Sequence, residues 1–475
     1  AAHIPAQGAK NGKGVLTSAA VGVRLAGGQG FYGDTPKAVA GLLEEGVDYL
    51  CLEALAELTL AILQKDRQRD ESLGYTRDLP LYLHAALPAV AEGRTKIITN
   101  AGGINPTAAA RAAVETARSM GITGIKVATV LGDDLMPRLG ELRDAGVDLA
   151  NLDTGEPWDL PAEPVFAAAY VGAAPIVAAL DQGADVVITG RVADASLFLA
   201  PCMFEHGWAP DDWDRLAAGI LVGHLLECSG QSTGGNYSGD WWTLPHPWDL
   251  PYPMAEVEAD GSAVISKPAP SGGRVSFDTV RHQLLYEVHD PANYLSPDVV
   301  ADFTSARFDD LGDDRVRVSE VQGRPVTSTY KALVAYPAGW AGEAKVAFSW
   351  PEAHEKAKAA GALLRKRVEM AGLAVDEWHT EFWGVNALGG DTVPSATEEP
   401  PEVILRVAWR CSDPQTAGLV GRELVPLSLS APPAGFTGTG RAGGGKPSQL
   451  LGIWPTLVDR ALVDDRVTVT VEEVV

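Results

Sequence analysis

The chain has 475 residues, 46% of them apolar and 21% charged. That balance supports a large buried core spread over two or three domains and excludes a disordered or fibrous chain. With 62 acidic against 38 basic side chains the net charge is -24, a field that repels nucleic-acid backbones and anionic membranes. An anionic ligand therefore needs a site where basic residues locally overturn that field.

Residues 1–14 read as a loose lead. From about residue 19 short β-branched runs alternate with helical patterns, the rhythm of an α/β fold with a parallel sheet. Strands are expected at Val21–Leu25, Val47–Leu52, Lys96–Thr99, Ile125–Val130, Val147–Asn151 and Asp185–Thr189. Helices are expected at Ala108–Met120, Pro164–Gln182 and Trp213–Cys228, where apolar residues recur every three or four positions. The Gly-, Trp- and Pro-rich stretch near residues 230–255 reads as a junction or lid, with Trp241, Trp242 and Trp248 packing it or lining a pocket. Mixed β-structure follows, at Arg315–Val321 and Thr329–Tyr336. The last part gives the βαββαβ order of a ferredoxin-like module, from Ala344–Trp350 to a closing strand at Val467–Val471. The expected division is a pocket domain (15–230), a β-rich region and lid (231–340) and the ferredoxin-like module (341–475). Cys51, Cys202, Cys228 and Cys411 lie far apart, which indicates neither a disulfide framework nor a zinc site and places the chain in a reducing cytoplasm. No apolar run approaches the roughly 18 residues of a membrane span.

Gly28-Gln29-Gly30-Phe31-Tyr32-Gly33 matches the dinucleotide fingerprint G-x-G-x-x-G, with Glu53 twenty residues on. Thr35 and Pro36, however, mark a helix that starts only after Gly33, so the better reading is a ligand loop carrying Gln29, Tyr32 and Asp34. A second glycine run, Gly438 to Gly443 with Arg441 and Lys446, reads as a flexible loop. Polar clusters end every expected strand of the first half. They include Glu53 and Glu57, Asn100 with Gly102, Gly103 and Asn105, Asp133 and Asp134, Asp153 and Glu156, and Arg191 with Asp194 and Ser196. Open parallel sheets bind ligands at strand carboxyl ends, so these clusters point to one polar pocket, although Asp and Asn also serve as turn and cap residues. His224 and Cys228 share a helix face, which suits a thiolate nucleophile, a two-ligand metal site or, more simply, a buried thiol. Lys267 and Arg274, flanking Gly272-Gly273, suit a phosphate or a solvent-exposed linker.

Five collinear strings carry a family resemblance: Gly28 to Asp34, Thr99 to Pro106, Ile188 to Ser196, His224 to Cys228 and Leu284 to Pro291. Together they resemble the acyclic terpene utilisation protein A family, the AtuA-like proteins, from about residue 20 to the C-terminus. The resemblance implies a setting in the breakdown of branched acyclic terpenoids through acyl-CoA thioesters. The leading expectation is a lyase or hydratase needing no redox cofactor, with no metal-ligating residues assigned and the metal requirement left open, acting on a branched acyl-CoA or carboxylated substrate as a homo-oligomer. Asp194 or Glu53 moves a proton, Arg191 holds a carboxylate or enolate oxygen, and Asn100 with the Gly102 and Gly103 amides forms an oxyanion site. Cys228 is a further catalytic candidate. Gln29, Tyr32, Asp34, Asn105, Asp133, Ser196 and Asn236 contact the substrate, and Lys267 and Arg274 meet CoA phosphates. The rival readings are a non-catalytic subunit of an acyl-CoA-processing complex and a nucleotide-dependent oxidoreductase.

Overall fold

A computed structural model describes residues 22–160, 162–385, 387–392, 398–433 and 445–475. The lead at 1–14 and the glycine run with Arg441 lie outside the described residues. In chain order the strands are β1 Val23–Gln29, β2 Tyr49–Leu52, β3 Lys96–Thr99, β4 Lys126–Leu131, β5 Phe166–Ala169, β6 Val186–Ile188, β7 Met254–Val257, β8 Ala263–Ser266 and β9 Tyr294–Leu295. They continue with β10 Val300–Asp302, β11 Arg307–Gly312, β12 Arg315–Ser319, β13 Gln322–Arg324, β14 Thr329–Ser349, β15 Glu377–Trp383, β16 Glu402–Cys411, β17 Ser448–Asp459 and β18 Thr468–Glu473. The fold is α/β. Its ten-stranded sheet has the order β11-β12-β8-β7-β1-β2-β3-β6-β4-β18. The run β1-β2-β3-β6-β4 is parallel, and antiparallel strands extend it on both sides.

The parallel strands are apolar throughout because both faces of the sheet are covered. Successive residues of β2 alternate between two cores: Tyr49 and Cys51 join one, Leu50 and Leu52 the other. Helices Ala174–Asp181, Ser196–His206 and Trp213–Leu226 pack the first face, and Lys37–Glu44, Leu79–Ala91 and Pro106–Ser119 the second. Each fully buried Leu contributes about 1.5–3 kcal/mol. Helix Trp213–Leu226 is buried almost all round, as expected of a central helix. It lies close against helix Ser196–His206 because Gly223 has no side chain. A Cβ there would stand 2.6 Å from the Ala195 carbonyl oxygen.

Two compact units emerge. One comprises the described residues up to Leu135 with Ala168–Ala332 and Leu457–Val475, the other Met136–Ala167 with Leu333–Thr456. The second unit holds a sheet of order β15-β16-β14-β17 and a core that includes Phe348, Leu364, Leu405 and Trp409.

Three expectations need correction. Val147–Asn151 is not a strand, and the Asn151 side chain accepts the Asp153 and Thr154 amides at 2.9 and 3.1 Å, forming a turn. Pro164–Gln182 is not one helix. It divides into β5 and helix Ala174–Asp181, with Gly172 between them against the Asp298 carboxylate. The closing strand expected at Val467–Val471 does not join the C-terminal sheet. Thr468 to Val471 belong to β18, antiparallel to β4 in the large sheet.

Candidate functional site

A cavity of about 920 Å³ opens in the first unit, where β1, β2 and β6 end and helix Trp213–Leu226 terminates. Parallel sheets expose ligands to this edge, since each strand hands its chain to a loop there. Of the polar and thiol side chains singled out in the sequence, Asp34, Glu53, Glu57, Arg191, Asp194, His224, Cys228 and Asn236 line this cavity.

The centre is a carboxyl pair clamped by a guanidinium. Arg191 follows β6 and is almost fully buried. Its Nη1 donates to the Leu55 carbonyl, its Nε to the Val192 carbonyl at 2.8 Å, and its Nη2 to Asp194. Its guanidinium also stacks 4.6 Å from the Tyr170 ring centre. These contacts hold the guanidinium on Asp194. Glu53, after β2, accepts the Leu55 amide at 2.6 Å and the Asn100 side-chain amide at 3.0 Å. Burial raises the Glu53 carboxyl well above its ordinary range and the adjacent Asp194 charge adds to this, while Arg191 and Asn100 only partly offset it. Burial raises Asp194 too, but Arg191 opposes it directly and Glu53 is hydrogen-bonded to it. Both carboxyls are thus raised, and Glu53, buried and facing the Asp194 charge, is the readier of the two to hold a proton, while Asp194 is bound directly by Arg191 and its side chain is 37% exposed.

A second pair stands at the end of the central helix. The His224 Nδ1 meets Glu227 Oε1 at 3.1 Å, and its Nε2 faces the Gln283 and Leu284 carbonyls at 3.0 and 3.2 Å. Burial alone lowers the imidazole, but these three acceptors outweigh it and leave it raised. Burial lifts Glu227 to about 7 against the pull of His224. A hydrogen bond along Nδ1···Oε1 joins the two, while the buried Glu227 Oε2 has no hydrogen-bond partner. His224 does not serve Cys228. Burial drives the Cys228 thiol up, aided by Glu227, so the side chain is a neutral thiol.

At the rim, the Tyr170 hydroxyl donates to Glu57 at 2.7 Å, and the Lys331 ammonium lies 3.6 Å from the same carboxylate and 5.0 Å from the Tyr170 ring centre. Burial pushes Glu57 up, but Tyr170 and Lys331 outweigh it and keep it ionised. Lys331 arrives because the Tyr170 amide bonds its carbonyl at 2.9 Å. Tyr170, Glu227, Tyr286, Glu287, Tyr294 and Lys331 also line the cavity and had no role in the sequence reading. Glu227, three residues after His224 on one helix face, and Tyr286 and Glu287, inside the Leu284 to Pro291 string, carried a signal.

The remaining predicted contacts do structural work. Asn100 accepts the Ala54 amide at 2.8 Å as it donates to Glu53, so it is no oxyanion donor. The Gly103 amide closes a turn on the Asn100 carbonyl at 3.1 Å, and Gly102 lies against the Thr189 carbonyl, away from the cavity wall. Asn105 caps helix Pro106–Ser119 and donates to the Glu71 and Leu73 carbonyls. Asp133 accepts the Arg191 amide at 2.7 Å, and Ser196 donates to Asp298 at 2.5 Å. Gln29 donates to Asp78 and the Phe31 carbonyl, and Tyr32 is half-buried outside the cavity wall. Lys267 bonds Asp314 and Ser271, and Arg274 bonds Thr243 and Asp240; neither reaches the cavity. Asp153 and Glu156 belong to the second unit. Trp241, Trp242 and Trp248 are exposed rather than packed.

The glycine loop after β1 also has a structural explanation. Cβ atoms at Gly27 and Gly30 would stand 2.1 Å from the Leu226 carbonyl oxygen and 2.4 Å from the Ser229 nitrogen. These glycines let the central helix end against β1, which delivers Glu227 and Cys228 to the cavity. The Gly30 and Gly33 amides donate to the Asp34 and Asp78 carboxylates at 3.1 and 2.8 Å, leaving neither for a pyrophosphate.

The sequence model of the acyclic terpene utilisation family protein AtuA matches residues 23–469. No curated protein and no solved structure matches the chain. Among the described residues, no helix is long and apolar enough to cross a membrane.

Proposed function

From membership of the acyclic terpene utilisation family, to which this chain belongs, we propose that the cavity adds water to, or removes it from, a branched acyl-CoA or related carboxylated substrate. The observation that carries this reading is the Glu53–Asp194 pair, a buried and a partly exposed carboxyl, both raised, with Asp194 fixed by Arg191. Such a pair separates acid from base by environment alone and is suited to proton transfer at carbon. Tyr170, Tyr252, Tyr286 and Tyr294 supply apolar ring faces for a branched chain, and the volume of about 920 Å³ suits a medium-sized ligand. Lys331, 44% exposed at the rim, is the proposed contact for a substrate carboxyl or thioester oxygen. This chemistry needs no redox cofactor. In the test, Asp194→Asn and Glu53→Gln variants are assayed for hydration of 4-methyl-2-pentenoyl-CoA. Undiminished turnover in both removes the assignment.

A subunit reading draws support from the exposed aromatic patch of Trp241, Trp242 and Trp248, since such patches mark interaction surfaces. The strand order of the second unit supports a ferredoxin-like module as the assembly element. Stoichiometric co-purification of an acyl-CoA enzyme from native lysate would favour it, and a homo-oligomer that turns over thioester alone would defeat it. Four free cysteines support a cytoplasmic setting.

A further inference from the structure

We propose that Glu227 is a second catalytic residue of this cavity, and that its free oxygen receives a hydroxyl group of the ligand. Glu227 is 9% exposed and lines the cavity, and its Oε2 has no hydrogen-bond partner. A buried carboxylate oxygen without a donor is costly, and such groups are rare unless a ligand or water completes them. Its other oxygen is fixed by His224, whose second nitrogen is anchored on the Gln283 and Leu284 carbonyls. The imidazole also packs against the Tyr294 and Phe303 rings, which stack on each other, at centroid distances of 5.7 Å each. The carboxylate therefore cannot swing away to find a partner elsewhere. What is missing is a hydrogen-bond donor from inside the cavity, and on a branched acyl ligand that donor is an alcohol O–H.

The chemical part of the assignment rests on the water-addition reading above; the recognition of a hydroxyl stands on the geometry alone. In the hydration direction, Glu227 takes a proton from water as the water oxygen bonds to one alkene carbon. The electron pair of the double bond then takes the proton held by the Glu53–Asp194 pair at the other carbon. Alkene and water become alcohol. One carboxyl has gained a proton and the other pair has lost one, and exchange with solvent restores both.

The test is calorimetric titration of the full chain with 4-methylpentanoate and its 2-, 3- and 4-hydroxy derivatives. At least one hydroxy acid should bind about tenfold more tightly than the parent acid. Glu227→Gln keeps an acceptor oxygen and should keep that preference, while its turnover on 4-methyl-2-pentenoyl-CoA falls at least about 100-fold. Glu227→Leu should bind the parent acid within about threefold of the unaltered chain but show no preference for any hydroxy acid. Equal affinities for all four acids in the unaltered chain, or no binding by any, overturn the proposal whether or not Glu227→Leu folds. A clear hydroxyl preference without any hydration activity would instead remove the water-addition reading and leave the hydroxyl site standing.

Discussion

Asp133 offers a quantitative test of how the strand ends are held. It is buried beyond β4, accepts the Arg191 amide at 2.7 Å, and burial pushes its carboxyl from 3.8 up to about 7, with Asp134 adding and Arg191 opposing. Below 3.8 both folded and unfolded chains carry the proton, so nothing is lost. Between 3.8 and about 7 the folded chain keeps a proton that the unfolded chain has released, and stability falls as pH rises. At about 1.4 kcal/mol per pH unit, the full window is worth at most about 4 kcal/mol. Asp133→Asn retains an oxygen for the Arg191 amide and has no proton to lose. It should match the unaltered protein at about pH 4 and exceed it by about 2–4 kcal/mol at about pH 8. Because the chain forms two units, a single melting curve is not a clean readout. Hydrogen exchange of peptides across β4 and β6, followed against urea at both pH values, reports on the relevant sheet. A variant no more stable at the higher pH, or equally shifted at both, would refute the reasoning.

Other substitutions probe separate links of the argument. Gly223→Ala should destabilise by about 1–3 kcal/mol in denaturant titration despite the better helix propensity of Ala, because the new methyl meets the Ala195 backbone. Cys228→Ser should change turnover less than about threefold, whereas a thiolate nucleophile would lose several orders of magnitude. Arg191→Met leaves the Leu55 and Val192 carbonyls without donors and Asp194 without its cation. Its stability should fall by about 2–3 kcal/mol, below the full cost of breaking a buried pair because Asp194 is partly exposed. Its activity should also require higher pH, since Arg191 lowers both Glu53 and Asp194; an unshifted pH–rate profile would contradict this.

The parallel strands were legible because both-face burial leaves uninterrupted apolar runs, and the rule that ligands meet strand carboxyl ends brought Glu53, Arg191 and Asp194 together. The same rule over-reached where a polar residue at a strand end serves the backbone instead. Asn105 caps a helix, Ser196 bonds Asp298, and Asn100 orients Glu53. Composition alone does not distinguish these roles, because a cap and a ligand contact need the same short polar side chains. The fingerprint after β1 misled for a related reason. Glycine permits close approach of any backbone, and here the approaching chain is the end of helix Trp213–Leu226. Tyr170, Tyr294 and Lys331 come from distant segments, joined only by tertiary contacts such as the Tyr170–Lys331 backbone bond. The alternating Thr-Val pattern of β18 marks a strand but does not say which sheet it joins.

The Glu53–Asp194 pair is proposed to transfer a proton during water addition or removal. The most direct test is incubation of the chain with 4-methyl-2-pentenoyl-CoA in heavy-oxygen water and, separately, in deuterium oxide, with the product read by mass spectrometry. One heavy oxygen and one carbon-bound deuterium per product are expected with the unaltered chain, and at least about a 100-fold slower appearance of both with Asp194→Asn. Absence of label with the unaltered chain, or label arriving at an undiminished rate with the variant, would contradict it.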